Sequence, residues 1–179
     1  MHQLLLLRHA KSSWSVPSGD AAASSDRERP LNARGRRSAA LMREAMRGLG
    51  LAPDLILVSP AARTMETMFA LEPWDDTPLI DPLDELYLAS EEQLLETLRA
   101  VAETVRTVLM IGHNPGMHDL AMTLTDRVGS ADKLVHDVMA GYPTATLVEF
   151  SLAGPWARLN AGGGRLLRML TPRMLDGVE

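Results

Sequence analysis

The chain contains no cysteine. That excludes a disulfide framework, a thiolate metal site and a cysteine nucleophile. It also lacks a basic excess: 18 Lys and Arg against 23 Asp and Glu give a formal charge of −5. General nucleic-acid binding is therefore not expected, although a local basic pocket is still allowed. No apolar stretch approaches the roughly 20 residues needed to span a bilayer. The N-terminus has no basic segment followed by a long apolar one, so no signal peptide is expected, and the default expectation is a cytoplasmic protein without membrane contact. There is no GxxxxGK[ST] loop, which argues against P-loop nucleotide chemistry. No internal repeat, low-complexity block or linker divides the 179 residues, and one domain over 1–179 is the natural reading.

What is present is an alternation of strand-like and helix-like segments. Gln3 to Leu7 is an unbroken apolar run that stops at Arg8-His9. Such runs read as strands buried on both faces of a parallel sheet. Leu55 to Val58 and Thr107 to Ile111 repeat the pattern, and Leu79-Ile80 reads as a shorter strand. Asn32 reads as the cap of a helix over 33–48, with Leu41, Ala45 and Leu49 on its inner face beside Met42 and Met46. The arginines of that helix read as a wet face. Ser59 reads as an N-cap and Pro60 as the first residue of a helix to about 70 that buries Met65, Met68 and Phe69. Ser90 and Gln93 predict a capping box for a helix over 91–104. Asn114-Pro115 opens a helix to about 125. Thr144–Phe150 and Arg165–Leu170 read as a hairpin at a sheet edge. Residues 10–31 read as a long loop, and 10–31 and 127–143 are the only insertion candidates, too little for a lid and so consistent with an open pocket. The expected fold is three-layer α/β/α, with a mostly parallel central sheet and an antiparallel edge strand.

Parallel strands bring their carboxyl ends to one side of a sheet, where ligands bind. Arg8, His9, Arg63 and His113 therefore converge despite their distance in sequence. Two guanidiniums can hold phosphoryl oxygens, and a neutral imidazole can attack phosphorus. His113, His118 and Asp119 lack the spacing of a zinc-binding helix, so no metal is expected. His2 and His136 read as solvated.

Four ordered segments carry a family resemblance: Leu7 to Trp14, Arg29-Pro30-Leu31-Asn32, Ser59 to Thr64, and Gly112 to Gly116. Together they resemble the histidine phosphatase (phosphoglycerate-mutase-like) superfamily, and within it the small SixA-type phosphohistidine phosphatases. The resemblance implies His9 as the phosphorylated nucleophile. It implies Arg8 and Arg63 as phosphoryl ligands, with Ser59 and Asn114 beside them, and His113 completing the pocket. No cofactor or metal is implied. Glu85 matches the place of the general acid in many members, with Asp20 and Asp26 as rivals. A phosphohistidine leaving group needs less help from an acid than an alkoxide does.

The expected activity is removal of a phosphoryl group through a covalent phosphohistidine intermediate. A protein bearing phosphohistidine is the preferred substrate. A small phosphomonoester is the alternative, and a non-catalytic phosphate-binding or protein-binding module the third possibility. Neutral His9 with protonated His113 implies a bell-shaped pH profile near neutral or mildly acidic pH.

Overall fold

The computed structural model describes residues 1–14 and 26–177. Strand β1 (His2–Arg8) is followed by helix α1 (Ala33–Gly48), β2 (Leu55–Val58), α2 (Ala62–Ala70) and β3 (Leu79–Pro82). Then come α3 (Glu91–Arg99), β4 (Thr107–Gly112), α4 (Gly116–Leu124), α5 (Asp132–Ala140), β5 (Leu147–Leu152), β6 (Gly164–Leu170) and the short α6 (Pro172–Leu175). The six strands form one sheet in the order β3-β2-β4-β1-β5-β6. The first four run parallel. The β5–β6 pair makes the antiparallel edge, as its turn-punctuated sequence suggests.

Strand alternation divides β1 between two cores. Leu4 and Leu6 pack with Leu94 and Leu98 of α3, with α4 residues including Met117 and Leu120, and with Val138 of α5. Leu5 and Leu7 pack with Met42 and Met46 of α1 and Met68 of α2. All four leucines are fully buried, which accounts for the unbroken apolar run. Helices cover both faces, giving the three expected layers.

Several boundaries differ from expectation for physical reasons. In α1 the buried stripe is Gly35, Ala39, Met42 and Met46, while Leu49 is exposed beyond the helix end. Asn32 caps this helix as expected, its side chain accepting from the Gly35 amide. Gly35 is required for close approach: a Cβ there would lie 2.0 Å from the Lys11 carbonyl oxygen. Helix α3 has both halves of its capping box, but ends at Arg99 rather than near 104. Beyond it Glu103 accepts from the Trp156 and Ala157 amides and meets the His2 ring, so the chain leaves the helix to bind another segment. His2 is accordingly held between Val105 and Glu103 rather than solvated. Residues 127–143, expected as an insertion, contain α5, which packs on the core through Val138 and against β6. No helix among the described residues is long and apolar enough to cross a membrane.

Candidate active site

The register of three parallel strands builds the site. Arg8 pairs with Gly112 across β1 and β4, and Val58 pairs with Ile111 across β2 and β4. His9, Ser59 and His113 therefore leave their strands at neighbouring points of one sheet edge. Backbone bonds continue the alignment: the His9 amide donates to Gly112, the Ser59 amide to Ile111, and the Ala145 amide to His9. The groups meet at a cavity of about 260 Å³ whose lining includes Arg8, His9, Arg29, Arg63, His113 and Asn114.

His9 is 8% exposed, and its Nδ1 lies 2.7 Å from the Ala10 carbonyl oxygen. A carbonyl only accepts, so Nδ1 carries the proton and the lone pair is on Nε2. Burial is the main force depressing the His9 pKa to about 4, assisted by the charges of Arg63, Arg8 and Arg29 against the favourable Ala10 bond. His113 is depressed to about 3, first by burial and then by Arg63 and His9. Both rings are neutral in the empty cavity at physiological pH. Their centroids are 5.4 Å apart. His113 Nε2 is 2.7 Å from Ser59 Oγ, while its Nδ1 is buried and has no partner among the described residues.

Ser59 does not cap the next helix. Its hydroxyl serves His113, and α2 starts at Ala62 after the uncapped Ala61. The turn is secured instead by Thr64, whose hydroxyl reaches the carbonyls of Ser59 and Ala61. Thr67 Oγ1 accepts from the Ala10 amide and so ties α2 to the end of β1. The buried face of α2 is thus Arg63, Thr64, Thr67 and Met68, whereas Phe69 is 54% exposed. Polar groups take inward positions on this helix, and of the three residues expected inside, Met68 is buried, Met65 half-buried against the core and Phe69 exposed.

Arg63 is 4% exposed and donates to the backbone carbonyl and the carboxylate of Asp26. Asp26 also accepts from Arg29 and from the Tyr87 hydroxyl. These partners, Tyr87 first, hold its carboxyl well below the usual carboxylate range. Arg8 and Asn114 both donate to the Tyr142 carbonyl, leaving Arg8 Nε and Asn114 Oδ1 buried and unpaired among the described residues. Such orphaned polar atoms beside a cavity suit an incoming ligand.

Arg8, His9, Arg63, His113, Ser59 and Asn114 are thus brought together as the motifs suggest. Glu85 is exposed in the 3₁₀ turn Asp84–Leu86 and is not among the cavity-lining residues. Asp20 lies outside the described residues. Sequence reasoning missed Tyr87, whose ring meets His113 edge-on at 5.5 Å, and Arg29 as a cavity cation. Arg29 stands in a quoted motif, which was the available signal. His118, weighed as a metal ligand, hydrogen-bonds the Val138 carbonyl instead.

Two imidazoles and three guanidiniums line one small cavity, a combination chemically suited to an oxyanion and to attack by a ring nitrogen. Residues 4–87 match the family model of the histidine phosphatase superfamily (branch 1). An uncharacterised protein of Mycobacterium tuberculosis is 31% identical over 93% of this chain and 100% of its own length. A crystal structure from Agrobacterium tumefaciens, provisionally assigned as the phosphohistidine phosphatase SixA, is 30% identical with TM-score 0.77 over 96% of this chain and 98% of that one. A provisionally assigned SixA from Nakamurella multipartitia is 26% identical with TM-score 0.78, covering 96% of both chains. The chain belongs to the histidine phosphatase superfamily and is SixA-like, a phosphatase of the histidine-nucleophile class.

Proposed function

We propose that the protein dephosphorylates phosphohistidine on a protein, with His9 as the nucleophile. One observation carries this reading. The Ala10 carbonyl accepts a hydrogen bond from His9 Nδ1–H, which fixes the neutral tautomer with its Nε2 lone pair free for the cavity that Arg8, Arg63 and His113 share. In the first step Nε2 of His9 attacks phosphorus, and the P–N bond to the substrate imidazole breaks. If the distal nitrogen of that imidazole is protonated, it leaves as a neutral ring. In the second step water attacks the phosphoryl group on His9, giving inorganic phosphate and restoring the free ring. Arg8 and Arg63 hold the non-bridging oxygens in both steps. Ser59 donates to His113 Nε2, so the proton on His113 Nδ1 is available to the phosphoryl group.

No carboxylic acid needs to assist. Asp26 is held ionised by Tyr87, Arg29 and Arg63, and Glu85 is off the cavity lining. An imidazole with an unperturbed pKa near 6.5 is a far better leaving group than an alkoxide. This favours a phosphoramidate over a phosphomonoester substrate.

The test is phosphate release from a protein domain phosphorylated on histidine, with EDTA present, by the parent and by His9→Ala. The expected result is release by the parent alone, with transient radiolabel on the parent chain after a short incubation with ³²P-labelled substrate. Label on the His9→Ala chain, or a kcat/KM for small phosphomonoesters well above that for the phosphoprotein, would overturn the proposal.

A further inference from the structure

Two apolar side chains line the cavity yet stay largely in water. Trp14, at the end of the first motif, is 84% exposed, and Leu88 is 55% exposed. Neither position is a loose end. The Arg29 guanidinium carbon lies 3.6 Å from the Trp14 ring centroid. Arg29 is itself fixed by the Asp26 carboxylate, the Ser12 hydroxyl and the Ser13 carbonyl. The indole is thus held against Arg29 while most of its surface remains open.

Leu88 is placed with equal definition. Its φ is 49°, in the left-handed region where glycine or asparagine is ordinarily found. On one side Tyr87 is bonded to Asp26 through its hydroxyl. On the other, Ala89 packs so closely on α4 that a Cβ at Gly116 would lie 2.0 Å from the Ala89 carbonyl oxygen. The backbone is therefore fixed from both neighbours. A leucine in this conformation costs energy that glycine would not, and its side chain stands at the cavity mouth. Strain of this kind concentrates at functional sites.

A ligand that fills only the cavity of about 260 Å³ can cover the lower edges of these side chains. The exposed remainder of an indole and an isobutyl group beside the cavity is available to a larger surface carried by the substrate. The geometry points to Trp14 and Leu88 as the specificity contacts for the macromolecular part of the substrate, engaging apolar protein surface beside the phosphorylated side chain. This rests on the phosphoprotein reading above and extends it: the buried groups recognise the phosphoryl group, and the two exposed ones recognise its carrier. Buried aromatic anchors of this type dominate many protein interfaces.

The test compares two substrates, a histidine-phosphorylated protein domain and phosphoramidate, on the parent, Trp14→Ala, Trp14→Phe and Leu88→Gly. For the phosphoprotein, Trp14→Ala is expected to raise KM roughly tenfold and Leu88→Gly several-fold, with kcat within about twofold. Trp14→Phe recovers most of the loss. For phosphoramidate both constants stay within about twofold. Leu88→Gly also relieves the backbone, so its melting temperature is expected at or above the parent's. Equal losses on both substrates, or an unchanged phosphoprotein KM, would overturn the assignment of the two side chains alone. A parent that cleaves phosphoramidate but not the phosphoprotein overturns the protein-substrate reading and this inference with it.

Discussion

The floor and the mouth of the cavity are built by different rules. His9, Ser59 and His113 each follow directly on a strand whose register is fixed by parallel pairing, and Arg63 is in the first turn of a helix tied to β1. All four are buried. The mouth comes from turns and loop ends: Lys11 and Trp14 after β1, Arg29 ahead of α1, and Leu88 ahead of α3. The backbone and core determine the floor's geometry, and a change there alters chemistry. At the mouth Asp26 holds Arg29, and through it Trp14, by side-chain contacts, while Leu88 is set by its backbone, and a change there is expected to alter which substrate is accepted.

The contrast is sharpest at His9. His9→Ala is expected to lower kcat by roughly 10⁴-fold or more on every substrate, because it removes the proposed nucleophile. Retention of more than about 1% of parental activity would show that the floor works by binding alone. Arg63→Met comes next, at roughly 10²- to 10³-fold, the range seen when one group that stabilises transition-state charge is removed. Its signature is a loss in kcat as well as in tungstate or phosphate affinity. A loss confined to KM would place Arg63 with the mouth.

These two regions also differ in legibility. The floor was largely readable because Arg8, His9, Ser59 and His113 stand where apolar runs stop, and a strand end is a local event in sequence. The expected capping role of Ser59 failed because the Ser-Pro pair carries the same local signature whether its hydroxyl binds an amide or an imidazole 54 residues away. The expected burial of Phe69 failed because hydrophobic periodicity assumes an apolar interior, whereas α2 turns Arg63, Thr64 and Thr67 inward. Helix α5 went unread for a related reason: Val138 is its one buried residue, too little to show a period. The mouth was least legible. The junction of Asp26 with Arg29, Arg63 and Tyr87 joins three separate segments, and no spacing rule links them.

The neutral imidazoles give a third test of the floor, and they modify the expected pH behaviour. An unfolded chain protonates both rings as pH falls through about 6.5. The folded chain does so only near 4 for His9 and near 3 for His113. Their contribution to stability is therefore complete above pH 6.5 and is lost as pH falls through the window below it, by at most about 3 kcal/mol for His9 and about 5 kcal/mol for His113. Chemical denaturation at pH 7.5 and 4.5 should show the parent losing about 2–3 kcal/mol more than His113→Gln does. Equal losses would mean that His113 titrates normally. For activity, the acid limb of kcat/KM is expected below pH 6.5, and His113 donates as a neutral ring rather than as the protonated one expected from sequence. In the presence of tungstate, histidine NMR shifts should titrate at higher pH than in the empty protein.

The smallest effect is expected at Glu85 and Asp26, two of the three carboxylates read as candidate acids. Glu85→Gln changes an exposed side chain outside the cavity lining, and its kcat on phosphohistidine should stay within about twofold of the parent's. Asp26→Asn keeps an oxygen for Tyr87 and Arg63 but removes a negative charge beside the phosphoryl site. Less repulsion then strengthens oxyanion binding, so tungstate inhibition should tighten by a few-fold while kcat changes by less than about threefold. The comparison breaks if either substitution lowers kcat on an alkyl phosphate by 30-fold or more but spares phosphoramidate. That pattern belongs to a general acid needed only by a poor leaving group, and it would move the residue from the margin of the cavity into its chemistry.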